Sequence, residues 1–221
     1  MKLIQELAEF MSDLGVFYAV CGGHAIDLFI GEKTRPRKDL DITLFWEDRD
    51  EIIRHMLSEK WDVYEPCGDA DSGFLHKIND VTVQRREKDN IWCVKPGNRS
   101  YKFDVCENGL FSVKFSGGEQ TELDFIEVLF NTHKDDELLY KRNHAIGMRI
   151  TDAVCEADGV PYLAPELVLL YKSPYAKNAD YRSDYENAVK KMSAEQVRWF
   201  RRALGVMFAD GHEWVDGRPP A

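Results

Sequence analysis

Two aspartates, Asp39 and Asp41, alternate with Leu40 and Ile42. Alternation of carboxylate and apolar residue predicts a half-buried β-strand. Side chains at i and i+2 of a strand share a face, about 6–7 Å apart along it. Two carboxylates on one face repel each other unless a cation sits between them, and hard oxygen donors on a rigid strand suit Mg²⁺. Upstream, Gly22 and Gly23 end an apolar run at 16–20 and open a short helical pattern of Ala25, Ile26, Leu28 and Phe29. A Gly-Gly turn at a helix start offers phosphate free backbone N–H groups and the positive end of the helix dipole. Glycine also lets the backbone approach where a Cβ would block it. A phosphate cradle plus paired metal carboxylates is equipment for phosphoryl or nucleotidyl transfer. Gly-Gly alone is a turn, and Asp-Leu-Asp alone a strand edge. Their order, with strand, helix and strand around them, carries the chemistry.

Other residues are candidates by their place beside these two features. His24 opens the helix, either as a helix-start residue or in contact with phosphate. The loop 31–38 holds Lys33, Arg35, Arg37 and Lys38 and runs straight into the aspartate strand. A charge run is ordinarily solvated, but Arg35, Arg37 or Lys38 from this one could reach a triphosphate. Asp27 stands on the helix, either to hold Arg35 or Arg37 or as a surface charge. A third carboxylate is expected from a neighbouring strand, as metal ligand or as base for an acceptor hydroxyl. Asp124, Glu127 and Asp104 compete for that place. An unbroken strand would put Asp124 and Glu127 on opposite faces, so at most one of them faces the site.

The string GGHAIDLFIGEKTRPRKDLDI, starting at Gly22, resembles the signature of the nucleotidyltransferase (polymerase β-like) superfamily. Within it, the string is similar to the branch of aminoglycoside 2″-adenylyltransferases and lincosamide nucleotidyltransferases, which carry GGxAIDxxxGxxTRxxxDxD-like strings. The resemblance implies an α/β (α+β) fold, a mixed sheet flanked by helices with a C-terminal helical part. It also implies Mg²⁺ dependence and ATP or another NTP as co-substrate. It places Asp39 and Asp41 on the metal and Gly22 and Gly23 on the phosphates. The segment LDFI resembles the aspartate strand of lincosamide transferases and puts Asp124 first as third carboxylate and metal ligand. IEVLFN resembles a glutamate-bearing strand in other relatives and keeps Glu127 close behind, with Asp104 third. PYLAPELVLLYK resembles the start of the C-terminal helical part, which implies that Lys172 faces a phosphate or the acceptor. Asp184 matches the last residue of a Lys-Asp-x-x-Asp-like segment whose basic residue is missing here, which leaves the role of that segment open.

The elements that must position these groups are readable from periodicity. Residues 2–14 carry Ile4, Leu7, Phe10, Met11 and Leu14 at helical spacing. Residues 46–58 read as a helix with an acidic first turn, 61–64 and 145–150 as short strands, and 66–130 as β-rich with turns at 66–73, 79–80, 95–99 and 117–118. Pro165 fits a helix first turn. Ser193 and Gln196 form a capping box for a last helix with Val197, Phe200, Leu204 and Phe208 on one face. The tail after Gly211 is expected to be loosely held. The expected division is a nucleotidyltransferase core at 1–150 and a helical part at 151–221 closing the cleft.

Composition narrows the partners. The net charge of −10 disfavours a nucleic acid and suits a neutral or cationic small acceptor. Five scattered cysteines without a CxxC pair argue for a reducing cytoplasm rather than a disulfide framework or zinc site. No signal peptide and no apolar run of membrane-spanning length are visible. The expected reaction is transfer of a nucleoside monophosphate, AMP from Mg·ATP first, to a hydroxyl of a small-molecule acceptor such as an aminoglycoside-type antibiotic. Pyrophosphate leaves, and the chain acts as monomer or homodimer. The rival class is a non-catalytic, antitoxin-like regulatory protein, or a transferase acting on a protein acceptor. Intact Asp39 and Asp41 weigh against a dead site.

Overall fold

The computed structural model describes residues 2–67, 73–81, 88–115 and 117–216. In chain order the elements are α1 (Lys2–Met11), β1 (Ala19–Val20), α2 (Gly22–Ile30), β2 (Asp41–Phe45), α3 (Arg49–Ser58), β3 (Asp62–Cys67), β4 (Phe74–Ile78) and β5 (Asn90–Val94). There follow β6 (Tyr101–Val105), β7 (Phe111–Phe115), β8 (Phe125–Lys134), β9 (Glu137–Leu139), β10 (Gly147–Arg149), α4 (Ile150–Ala153), β11 (Val154–Ala157) and β12 (Val160–Leu163). Four helices end the described chain: α5 (Pro165–Lys172), α6 (Ala179–Ala188), α7 (Ala194–Met207) and α8 (Glu213–Asp216). The α/β expectation holds, with a mixed sheet, flanking helices and a helical C-terminal part. The turn expected at 66–73 falls largely outside the described residues.

The chain forms two compact units that are not consecutive in sequence: residues 1–19 with 36–131, and residues 20–35 with 132–221. In the first unit the strand order is β2-β8-β5-β3-β4-β7-β6, with β2 and β8 parallel and the remaining neighbours antiparallel. One face carries Ile42, Leu44, Val63, Ile91, Cys93, Ile126 and Val128, all fully buried. This is the period-2 pattern of strands with one covered face. Leu3, Ile4, Leu7 and Met11 form the buried stripe of α1, and Ile52, Ile53 and Met56 that of α3. Glu65 also lies on the covered face, where its Oε1 accepts from Arg49 Nη2 at 2.8 Å with both side chains almost fully buried. The sheet coils strongly, so that Tyr101 of β6, at the end of the order, stacks on Phe125 of β8 at 4.1 Å between ring centroids.

In the second unit β1 pairs in parallel with β12 at Val20 and Tyr162, and β11 runs antiparallel to β12. The helices α2, α5, α6 and α7 pack together. Pro165 takes the first helical turn of α5, and the Ser193–Gln196 capping box opens α7 as expected. The chain just past Gly211 is not loose. It forms α8, and Trp214 lies flat on Tyr185 at 4.6 Å with an interplanar angle of 2°. Tyr185 Oη donates to the Trp214 carbonyl at 2.6 Å. Burial of one indole holds a segment that its terminal position alone suggested would be loose.

Candidate active site

The first unit gathers carboxylates on the face of the sheet opposite its apolar cover. β2 and β8 are parallel neighbours in the register Asp41 to Glu127, and the ladder continues upstream through Glu127 N–H donating to the Leu40 carbonyl at 2.9 Å. Leu40 is fully buried, while Asp39 is exposed and Asp41 half-buried. The alternation expected over 39–42 therefore holds, although β2 itself begins at Asp41. Asp41 and its register partner Glu127 therefore share a face, and Asp39, two residues upstream, is within electrostatic reach of Glu127.

Glu127 is half-buried. Its Oε1 accepts from Asn90 Nδ2 at 2.6 Å and from Trp92 Nε1 at 3.3 Å. Burial pushes the Glu127 carboxyl above the usual carboxylate range, and the negative charge of Asp39 adds to that. The donors from Asn90 and Trp92 pull it back. The phenol of Tyr101 registers the same field. Burial raises it first, and Asp39, Glu127, Asp41 and Asp124 each raise it further.

The other carboxylate candidates are placed differently. Asp124 precedes β8, where its carboxylate accepts from the Arg99 N–H at 3.4 Å and from Gln120 Nε2 at 3.5 Å. It is within electrostatic reach of Tyr101 but not in register with Asp41. Asp104 sits exposed on β6, paired with Lys114 at 3.2 Å. Lys38 is exposed on the approach to Asp39.

Among the described residues, no group of three His, Cys, Asp or Glu side chains is arranged as a metal cage. The chemistry of the donor set still fits a hard dication. Asp39, Asp41 and Glu127 are all oxygen donors, and Asp39 opposes the ionisation of Glu127, a repulsion that a bound cation would relieve.

In the second unit Gly22 opens α2 at φ +62, a left-handed conformation natural to glycine, behind an extended N-cap at Cys21. Gly23 and a half-buried His24 complete its first turn. The far end of α2 is tightly held. Gly31 N–H donates to the carbonyls of Asp27 and Leu28, and Lys191 Nζ reaches the Ile30 carbonyl. Asp27 Oδ1 accepts from both the N–H (3.0 Å) and the hydroxyl (2.8 Å) of Thr34. The basic loop thus returns on its own helix.

Arg35 and Lys172 meet at one carboxylate. Arg35 donates from Nε to Asp184 Oδ1 at 3.2 Å and from Nη2 to Oδ2 at 3.0 Å, and its Nη1 lies 3.3 Å from Asp180. Lys172 Nζ is 2.9 Å from Asp184 Oδ2 and 4.3 Å from the centre of the Tyr181 ring. Asp184 is fully buried. The segment whose role the sequence left open therefore supplies the counter-ion for both cations. Asn90 and Trp92 had no place among the sequence candidates. Their one signal was the i, i+2 spacing of two side-chain donors on a β5-like run.

Comparison with known proteins agrees with the resemblance read from 22–42. The sequence model of the aminoglycoside-2″-adenylyltransferase family matches residues 3–67. No curated protein matches the chain. Among solved structures, the solution structure of the antibiotic-resistance factor ANT(2″)-Ia superposes with a TM-score of 0.55 at 16% identity, covering 94% of this chain and 92% of that one. The crystal structure of ANT(2″)-Ia in complex with adenylyl-2″-tobramycin gives 0.52 at 15%, covering 94% and 97%. The lincomycin-bound lincosamide antibiotic adenylyltransferase LnuA gives 0.50 at 13%, covering 86% and 97%. The chain has the fold of these nucleotidyltransferases.

Proposed function

We propose that the chain is a nucleotidyltransferase that moves a nucleoside monophosphate, AMP from ATP first, to a hydroxyl of a small antibiotic-like acceptor. The observation that carries this reading is the register of Asp41 with Glu127, with Asp39 two residues upstream. Asp39 and Asp41 would hold Mg²⁺, which neutralises a triphosphate and stabilises departing pyrophosphate. Gly22 and Gly23 bind phosphate oxygens through backbone N–H groups at the start of α2. Glu127 takes the third carboxylate place, in preference to Asp124, because it alone stands in register with Asp41. As the acceptor oxygen bonds to the α-phosphorus, the bond from that phosphorus to the bridging oxygen of pyrophosphate breaks, and Glu127 accepts the hydroxyl proton. A carboxylate raised by burial is a better base than a solvated one. Arg35 and Lys172 serve this function through Asp184 rather than as free phosphate ligands.

A small acceptor accords with the net charge of −10 and with the antibiotics named for the similar structures. Among the described residues no helix is long and apolar enough to cross a membrane. The test is pyrophosphate release from ATP, GTP, CTP or UTP in the presence of Mg²⁺, against panels of aminoglycosides, lincosamides and protein acceptors. Acceptor-dependent release that Asp39→Asn abolishes is the expected result. Release unchanged in Asp39→Asn would refute the assignment. No release with any acceptor, while nucleotide still binds, would favour a regulatory protein of the same fold.

A further inference from the structure

We propose that Asn90 and Trp92 are positioning residues that clamp one oxygen of Glu127 and leave the other for the reaction. The proposal rests on Glu127 being the working carboxylate, as argued above. Both donors act on the same atom, Oε1, at 2.6 Å from Asn90 and 3.3 Å from Trp92. Among the described residues Oε2 receives no hydrogen bond. The two donors are neutral, so they orient the carboxylate without cancelling its charge.

The backbone explains why these two residues can do this. Trp92 is the register partner of Glu127 on the antiparallel neighbour β5, and Asn90 pairs with Leu129. Residues 90 and 92 share a face of β5, so one donor comes from directly opposite Glu127 and the other from the diagonal position. The indole is itself braced. Phe125 meets it edge-on at 5.5 Å and 85°, and Tyr101 at 5.6 Å and 63°. Phe125 stands two residues before Glu127 on the same face of β8. The ring that aims the N–H is therefore held by the strand that carries the acceptor. A glutamate left to itself samples several rotamers, and a base or metal ligand must occupy one. Hydrogen-bonded partners of this kind support a ligating carboxylate and are worth about 10–100-fold in affinity or activity.

The alternative is that the glutamate merely satisfies a half-buried indole and amide. One readout tests the hydrogen bond that both readings need and a second separates them, both on the full chain. The first is the indole ¹H–¹⁵N resonance of Trp92, assigned by its loss in Trp92→Phe. It should move in Glu127→Gln, because a carboxylate acceptor becomes a neutral amide. A resonance indifferent to Glu127→Gln would overturn the clamp whether or not the protein turns over ATP. The second is kinetic. Trp92→Phe keeps an aromatic ring against Phe125 and Tyr101 but loses the donor. It should lower kcat about 10-fold or more while KM for ATP and the melting temperature stay nearly constant. Asn90→Asp, which replaces a donor by a negative charge at almost constant shape, should lose more. An unchanged kcat in both variants, or a kcat that falls only in step with the melting temperature, would refute positioning. Absence of all turnover in the wild type, with the resonance still responding to Glu127→Gln, would count against the proposed reaction and leave the clamp standing.

Discussion

The two units treat their acidic residues in opposite ways. In the first, Asp39 is exposed, Glu127 accepts from two neutral donors, and Asp39 works against the ionisation of Glu127. In the second, Asp184 is fully buried and receives an arginine and a lysine together. An acid that opposes its neighbour's ionisation costs stability and is kept where a ligand relieves the opposition. A buried acid with two cationic partners is a fastening, and removing it strands two charges. The same residue type is therefore a candidate for chemistry in one unit and for architecture in the other. The first unit also has a fastening of its own, Arg49 with Glu65, on the covered face of its sheet. The division follows the environment of each acid rather than the unit as a whole.

The largest expected effect lies on the chemical side. Asp41→Asn should lower acceptor-dependent pyrophosphate release by about 10³-fold, the equivalent of several kcal/mol of transition-state stabilisation. Its urea midpoint should fall far less than that of Asp184→Ala. A parallel fall in midpoint and activity would erase the contrast. Asp184→Ala should behave in reverse, losing about 3–5 kcal/mol of unfolding free energy. Urea titration measures it, and a loss below about 1 kcal/mol would mean that Arg35 and Lys172 are not held by this residue. Tyr185→Phe tests the docking of Trp214. It removes a 2.6 Å hydrogen bond and should cost about 1 kcal/mol in the same titration.

The smallest effect sharpens the comparison through pH. Glu166 opens α5 in a buried position, where Gln196 Nε2 donates to its Oε2 at 2.9 Å. Burial raises its carboxyl from the ordinary 4.5, against the α5 backbone and Gln196, which lower it. The folded chain then binds this proton more tightly than the unfolded chain. Its contribution to stability is greatest below the ordinary value and declines as pH rises through the folded one. Glu166→Gln should flatten that decline in melting temperature measured between acid and neutral pH. An identical pH profile in the variant would show that Glu166 is not the group responsible.

What could be read in the amino-acid sequence was whatever rests on short-range spacing. Asp39 and Asp41 share a face because a strand repeats every two residues, and the Gly22-Gly23 pair marks a turn from a buried strand into a helix. The stripes of α1 and α3, Pro165 at the start of α5 and the Ser193–Gln196 box are local for the same reason. Only the tertiary structure could decide between Asp124 and Glu127 as neighbour of Asp41. Strand register joins residues 86 positions apart and turns on the order of seven strands. The donors of Asn90 and Trp92, and the convergence of Arg35 and Lys172 on Asp184, are of the same long-range kind. So is the seat of Trp214 on Tyr185. Each depends on which surfaces pack together, and side-chain periodicity along a single element carries no information about the partner it will meet.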